Sequence, residues 1–137
     1  MYVRLMKKET SDGSGRIIDL SVGCEYEVLG IEADYYRLVP EKCKEFGKLD
    51  PFLYDSDCFE VVESAEPSFW ECDTDDGVRY CYPQEWNRPG FFEDYHDGNK
   101  AVQMRFWSDL SRLYPRTWER IKSSGLVLHL LEFNLEE

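Results

Sequence analysis

Four side chains that can transfer protons or bind a metal ion lie within one short stretch of the chain. They are Glu93, Asp94, His96 and Asp97. Histidine titrates near neutral pH, and carboxylates beside it can orient the ring or join it as metal ligands. The stretch therefore allows a small hydrolase-like or metal-assisted enzyme. The aromatic residues among these side chains, Phe91, Phe92 and Tyr95, favour a different interpretation, in which an exposed acidic loop covers an aromatic plug that closes a core.

A second acidic group surrounds the dipeptide Asp76-Gly77. Tight loops that carry several carboxylates can bind calcium. Counted from Asp73, however, the glycine falls at the fifth position instead of the sixth, and Gln84 holds the twelfth, where calcium loops carry a bidentate glutamate. Asp76-Gly77 is instead typical of a type I′ turn, which needs positive φ at both central residues. We expect a hairpin tip with solvated carboxylates, no metal ion and no cofactor.

This turn sets the register of the predicted hairpin. The facing pairs are Trp70 with Pro83, Cys72 with Cys81, Asp73 with Tyr80 and Thr74 with Arg79. Cys72 and Cys81 then form a non-hydrogen-bonded pair whose Cα atoms lie about 4.5 Å apart, close enough for a disulfide. We nevertheless expect free thiols, because no export signal accompanies the five cysteines and the cytoplasm keeps thiols reduced.

Alternation along the two strands divides the hairpin into two faces. One face, expected to be buried, holds Trp70, Cys72 and Cys81. The other face would be exposed and available to a partner. The partner-binding residues that we expect are Glu71, Asp73, Tyr80 and Tyr82 on this face, together with Glu93 and Asp94.

The charge of the chain is unevenly distributed. The net charge is −12, with −7 on residues 1–66, −6 on residues 67–98 and +1 on residues 99–137. Such an acidic surface repels phosphate backbones and lipid headgroups, so nucleic acid and membranes are disfavoured as partners. A basic protein surface is favoured, in the way that toxin-neutralising immunity proteins bind by charge complementarity. Solubility alone is the competing explanation of the charge.

The stretch from Val22 to Val62 contains short runs that alternate apolar and polar residues, a pattern typical of strands. We expect the first two runs to form a hairpin connected through Gly30–Asp34, and an exposed loop between Pro40 and Asp50. The succession of residues 23–28, 36–38, 52–54 and 59–62 resembles the strand pattern of small SH3-like barrels over roughly the first half of the chain. The resemblance implies a small antiparallel barrel or bent sheet. It implies no proline-peptide groove, because the Ala-Leu-Tyr-Asp-Tyr run and the paired tryptophans of signalling SH3 domains are missing.

The last third of the sequence predicts a helix that breaks once. Asn99 can cap its start, and Pro115 should end or kink it near Tyr114. Its apolar face holds Val102, Phe106, Leu110, Leu113 and Tyr114. Arg112, Arg116 and Arg120 follow one another at four-residue steps and are expected to face an acidic surface. The apolar tail, residues 126–137, must pack as a last strand or pair with a second copy, which makes a homodimer through the tail an alternative.

These patterns predict one α+β domain over residues 1–137. Residues 1–66 form the SH3-like β part, 67–98 the added hairpin and the aromatic-acidic loop, 99–125 the kinked helix, and 126–137 the apolar tail. The function that we expect is a non-catalytic, acidic interaction module of a bacterial cytoplasm that binds a basic protein. A small enzyme that uses the four side chains of residues 93–97 is the alternative.

Overall fold

The computed structural model describes residues 1–40 and 49–123 of the chain. These residues divide into two compact units, Met1–Pro83 and the part that begins at Gln84. The strands are β1 (Tyr2–Leu5), β2 (Glu25–Glu27), β3 (Gly30–Glu32), β4 (Tyr35–Leu38), β5 (Phe52–Asp55), β6 (Phe59–Glu63), β7 (Trp70–Asp75) and β8 (Val78–Pro83), and the helices are α1 (Phe91–His96), α2 (Lys100–Leu113) and α3 (Pro115–Ser123).

The strands of the first unit form two antiparallel sheets. One has three strands in the order β2-β1-β6, and the other has five in the order β5-β4-β3-β8-β7. The predicted α+β class is therefore confirmed. Because the strands of the described residues close no barrel, the bent sheet is the predicted arrangement that fits. The hairpin of β7 and β8 is not an addition beside the β part, since β8 pairs with β3 inside the larger sheet.

The hairpin predicted between the first two runs was wrong, because most of its connection is strand β3, and β3 instead of β2 pairs with β4. Gly30 pairs with Arg37 of β4, and the turn lies at Ala33, whose φ is 56°. Gly30 also has a packing role in the sheet. A Cβ at this position would lie 2.0 Å from a ring carbon of Tyr82, so the glycine makes room for that ring.

Alternating side chains build the core of the first unit. In β1, Val3 and Leu5 are fully buried. Tyr26 of β2, Val28 just after β2 and Leu38 of β4 in the other sheet belong to the same core. On the other face of β1, Arg4 forms ion pairs with Glu25 of β2 and Glu60 of β6, at 2.9 and 2.5 Å.

The second unit is helical and packs around Trp86. The indole ring lies 4.6 Å from the Phe106 ring and 5.6 Å from the Tyr114 ring, centroid to centroid, and it also contacts Phe91 and Phe92. The predicted aromatic plug is confirmed, but the loop expected around it was wrong. Residues 91–96 form α1, because their three large aromatic residues recur at helical spacing and bury one side of a turn.

The predicted start and break of the C-terminal helix are confirmed. The Asn99 side chain accepts a hydrogen bond from the Val102 backbone N–H at 3.1 Å and so caps α2. The helix ends at Leu113, and Pro115 begins α3, where a missing N–H costs nothing. Most of the predicted apolar face is buried, although Leu113 is only partly so.

Several predictions concern residues outside the described ones. Most of the exposed loop expected between Pro40 and Asp50 and all of the apolar tail from residue 126 are among them. The tail-mediated homodimer therefore stays a prediction, as does the single domain. Within the two described ranges, no helix combines the length and the apolar character needed to cross a membrane.

Candidate functional site

The β7–β8 hairpin has the predicted turn and register. Asp76 and Gly77 have φ values of 55° and 78°, as a type I′ turn requires. Trp70 faces Pro83 and Asp73 faces Tyr80, and the intervening pairs follow the same register. A two-residue turn leaves no freedom to slip, so the local sequence determined which side chains of this hairpin are neighbours.

Cys72 and Cys81 are joined by a disulfide, so the prediction of free thiols was wrong. Their Cα atoms lie 4.1 Å apart, close to the predicted separation. A non-hydrogen-bonded antiparallel pair brings the Cβ atoms of facing residues together, which is what a disulfide needs. Two other cysteines of the described residues, Cys24 and Cys58, are free, the first exposed and the second buried.

The predicted exposed face of the hairpin is only half exposed. Glu71 and Asp73 of β7 are exposed as predicted, but Tyr80 is partly buried and Tyr82 is only 3% exposed. The Tyr82 ring lies over Gly30 of the neighbouring strand, where the missing side chain leaves space. The prediction that Tyr82 is exposed was therefore wrong, and its burial argues against a contact with a partner.

The Tyr82 hydroxyl belongs to a polar network that sequence analysis missed. It donates to Glu32 at 2.5 Å and accepts from Arg37 Nε at 3.1 Å, while Arg37 donates to Glu32 at 2.7 Å. Burial and the Glu32 carboxylate raise the pKa of Tyr82 far above its ordinary value. Arg37 is 6% exposed, and its partners satisfy a charge that would otherwise be costly to bury. The alternation of Arg37 with Tyr36 and Leu38 placed it in a strand but gave no sign of these partners.

Strand β7 is an end strand of the five-stranded sheet, as far as the structure describes the chain. Its residues Glu71, Asp73 and Asp75 are exposed and, being two residues apart, project from the same side of the strand. By the alternation of an antiparallel ladder, Cys72 and Thr74 direct their backbone N–H and C=O groups away from β8. The hairpin thus combines an end strand of the described sheet with a row of carboxylates.

One ion pair lies beside this row. Arg79 of β8 donates to both carboxylate oxygens of Glu66, at 2.7 and 2.5 Å, and also to Cys72 Sγ at 3.4 Å. The hydrogen bonds from Arg79 lower the pKa of Glu66 below its ordinary value of 4.5. Arg79 is therefore held between a carboxylate and a sulfur of the disulfide.

The four residues of the possible enzyme site lie on or next to α1. Glu93, His96 and Asp97 are exposed, and Asp94 is partly buried, 3.4 Å from Arg88. The His96 ring packs edge-on against Tyr95 at 5.2 Å between centroids. Among the residues that the structure describes, the single group of three His, Cys, Asp or Glu side chains close enough to share a metal ion is Glu66, Cys72 and Cys81, whose sulfurs are bonded to each other. None of the four side chains of residues 93–97 belongs to this group.

Sequence analysis also missed a buried carboxylate of the second unit. Asp109 is 4% exposed and accepts hydrogen bonds from Trp86 Nε1, Arg105 and Arg112, at 3.1, 2.9 and 2.7 Å. Its spacing of four residues from Arg105 and three from Arg112 was a signal that could have shown the pairing. Arg112 therefore has an acidic partner within its own helix, whereas the surface that Arg116 and Arg120 face stays a prediction.

No protein-family model, curated protein or solved structure matches this chain. The functional argument therefore depends on the residues and the geometry described above.

Proposed function

We propose that the chain is a non-catalytic, acidic interaction module that binds a basic protein through the β7 edge of its hairpin. The observation that carries the proposal is the exposed row of Glu71, Asp73 and Asp75 on an end strand. An end strand can pair with an extended segment of another protein, and the side chains along it select the segment by charge. Lysine or arginine at alternate positions of the segment would face this row.

Long-range electrostatics support the same partner class. Residues 1–98 carry a net charge of −13, which attracts a basic protein before any specific contact forms. The proposal extends to an immunity-like role, neutralisation of a basic toxin in a bacterial cytoplasm, by analogy of size and charge. A charged end strand has a second use, since it discourages edge-to-edge aggregation. The experiment must separate binding from this protective role.

The test is affinity purification from the native cell with two charge-matched variants. Glu71→Lys/Asp73→Lys reverses two carboxylates of the row. Glu9→Lys/Glu119→Lys makes the same charge change at exposed residues outside the hairpin, each with one exposed ion-pair partner. Partners of each are identified by mass spectrometry and then measured in purified form at rising salt.

We expect the hairpin variant to lose about tenfold or more in affinity for a basic partner, and the control to lose about twofold or less. The affinity of the wild type should fall as salt rises, because screening weakens exposed charge contacts. Equal losses in the two variants, or a tight complex that is insensitive to salt, would contradict the proposal. Aggregation of the hairpin variant without loss of a partner would assign the row to the protective role.

The alternative proposal is a small hydrolase-like or metal-assisted enzyme that uses Glu93, Asp94, His96 and Asp97. A histidine near three carboxylates supports it, and the outward position of His96 on α1 weakens it. Substitution of His96, described below, distinguishes the two proposals.

A further inference from the structure

We propose that Cys72 and Cys81 form a thiol–disulfide exchange site, in which Cys72 is the sulfur that reacts with small thiols and disulfides. The proposal does not depend on the proposed function, because it concerns the sulfur atoms of the hairpin alone. The arguments for it are the unequal exposure of the two cysteines, the position of Arg79 and the register that keeps the sulfurs together.

The two cysteines differ in access to solvent. Cys72 is exposed on the end strand β7, whereas Cys81 of β8 is fully buried in the core of the first unit. A reagent in solution can therefore approach Cys72 and not Cys81. This is the asymmetry of a redox pair that has one attacking cysteine and one resolving cysteine.

Arg79 gives Cys72 the cationic neighbour that activates a thiol. One guanidinium nitrogen lies 3.4 Å from Cys72 Sγ, and the pair with Glu66 holds the guanidinium in place. A cation at this distance favours the thiolate, the form that attacks disulfides, over the thiol. The Glu66 carboxylate offsets part of this effect, and the hydrogen bond that Arg79 donates directly to the sulfur remains.

The exchange balances without any other group. In the reduced protein, the Cys72 thiolate attacks one sulfur of a small disulfide RSSR, the S–S bond breaks, and RS⁻ leaves with the electron pair. The Cys81 sulfur then attacks Cys72 Sγ, the second RS⁻ leaves with the electron pair and takes up the proton that Cys81 gives up, and the Cys72–Cys81 disulfide forms. Two protein thiols are oxidised and RSSR is reduced to two thiols. The reverse direction uses two equivalents of a small thiol as reductant.

The hairpin register places the two sulfurs of the second step next to each other. Cys81 faces Cys72 with 4.1 Å between their Cα atoms, so the resolving thiol already lies next to the mixed disulfide. The site can accordingly stand as a dithiol in a reducing compartment and as the observed disulfide under oxidising conditions.

The test uses the full chain, reduced and then mixed with glutathione disulfide at neutral pH. Samples are quenched at intervals, and the modified cysteines are identified by peptide mass spectrometry. In the Cys81→Ser variant we expect glutathione to accumulate on Cys72, about tenfold faster than on Cys24 of the same molecules. Cys24 is an internal reference, since it is also exposed and free. The Arg79→Gln change in the same background should slow the reaction of Cys72 by about fivefold or more and leave that of Cys24 unchanged.

The wild-type chain gives an independent measurement if Cys81→Ser does not fold. After reduction and a short pulse of iodoacetamide, Cys72 should be alkylated ahead of Cys24, and glutathione disulfide should convert the pair to the Cys72–Cys81 disulfide. The proposal is overturned if Cys72 reacts no faster than Cys24, if Arg79→Gln leaves its rate unchanged, or if glutathione stays on Cys72 of the wild type without formation of the internal disulfide.

Discussion

In the β7–β8 hairpin a two-residue turn decides which side chains are neighbours, whereas in residues 84–99 a single indole ring does so. Both regions are acidic and aromatic in sequence. In the hairpin the carboxylates line an end strand of the described sheet, and Tyr82 is the buried residue among the four expected on the exposed face. In the second region the aromatic side chains turn inward around Trp86, and most of the charged groups of α1 are left outside.

The difference shows what a cluster of titratable residues can mean. Glu93, His96 and Asp97 are adjacent because they share the outer side of a short helix, and their spacing follows from the packing of Phe91, Phe92 and Tyr95 on the inner side. The packing of aromatic side chains does not explain the carboxylates of β7. They line an end strand, where they would face any segment that pairs with it. We therefore propose the hairpin, and not α1, as the binding surface of the interaction module. The following experiments test this division, from the largest expected effect to the smallest.

Removing the central ring tests whether the second region is built around it. Trp86→Ala should reduce the free energy of unfolding by about 3–5 kcal/mol, because it empties the centre of the aromatic cluster. It also removes the Nε1 donor of buried Asp109. Trp118→Ala is the matched control, since Trp118 is only partly buried, and it should cost clearly less. Urea unfolding followed by circular dichroism measures both, and equal losses would contradict a core centred on Trp86.

Filling the space under Tyr82 tests how this side chain is buried on the face that was predicted to be exposed. Gly30→Ala should lower the free energy of unfolding by about 1–3 kcal/mol, because the new Cβ meets a ring that cannot move without breaking its hydrogen bonds. Gly15→Ala is the control. Its Cβ would meet only ordinary contacts, 3.8 Å from Thr10, and its effect should stay within about 0.5 kcal/mol. A neutral Gly30→Ala in thermal and urea unfolding would show that Tyr82 is not fixed over this glycine.

The Glu66–Arg79 ion pair should make the free energy of unfolding depend on pH. Because Arg79 depresses the pKa of Glu66, the pair stabilises the fold above pH 4.5 and loses its contribution as the pH falls through the lower folded-state pKa. Glu66→Gln should therefore cost up to about 1 kcal/mol near neutral pH, the usual range for an exposed pair. The difference from wild type should vanish at pH values below the folded-state pKa. A difference of the same size at all pH values would mean that the charge of Glu66 is not responsible.

Substitution of His96 should have the smallest effect on stability and on partner binding. His96→Ala is expected to change the free energy of unfolding by about 0.5 kcal/mol or less, as for other exposed residues, and to leave partner affinity within a few fold. A loss of roughly a hundredfold in an activity, with circular dichroism unchanged, would favour the enzyme proposal over the interaction module. Asp97→Asn, next to it and equally exposed, is a control for a change of charge alone.

The parts of the fold that the sequence predicted depend on neighbours in the chain. The Asp76-Gly77 turn, the pairing of Cys72 with Cys81, the Asn99 cap and the break before Pro115 each follow from the conformations open to a few consecutive residues. Such local preferences act in any surrounding structure, so they could be recognised without it. For the candidate site, the sequence predicted the exposure of Glu71 and Asp73, because the turn fixed the side of the strand from which they project.

The tertiary structure decided what depends on residues far apart in sequence. Tyr82 is buried because Gly30, in another strand of the sheet, leaves space for its ring, and Arg37 is buried because Glu32 and Tyr82 satisfy its charge. Residues 91–96 are helical because Trp86 and Phe106 offer an aromatic surface for one side of a helix. Tyr82 meets Gly30 and Arg37 from another part of the chain, so no short stretch of sequence contains both members of these two contacts. Phe92 and Phe106 likewise come from different helices. Burial and charge compensation are properties of the assembled pair, so only the folded chain could show them.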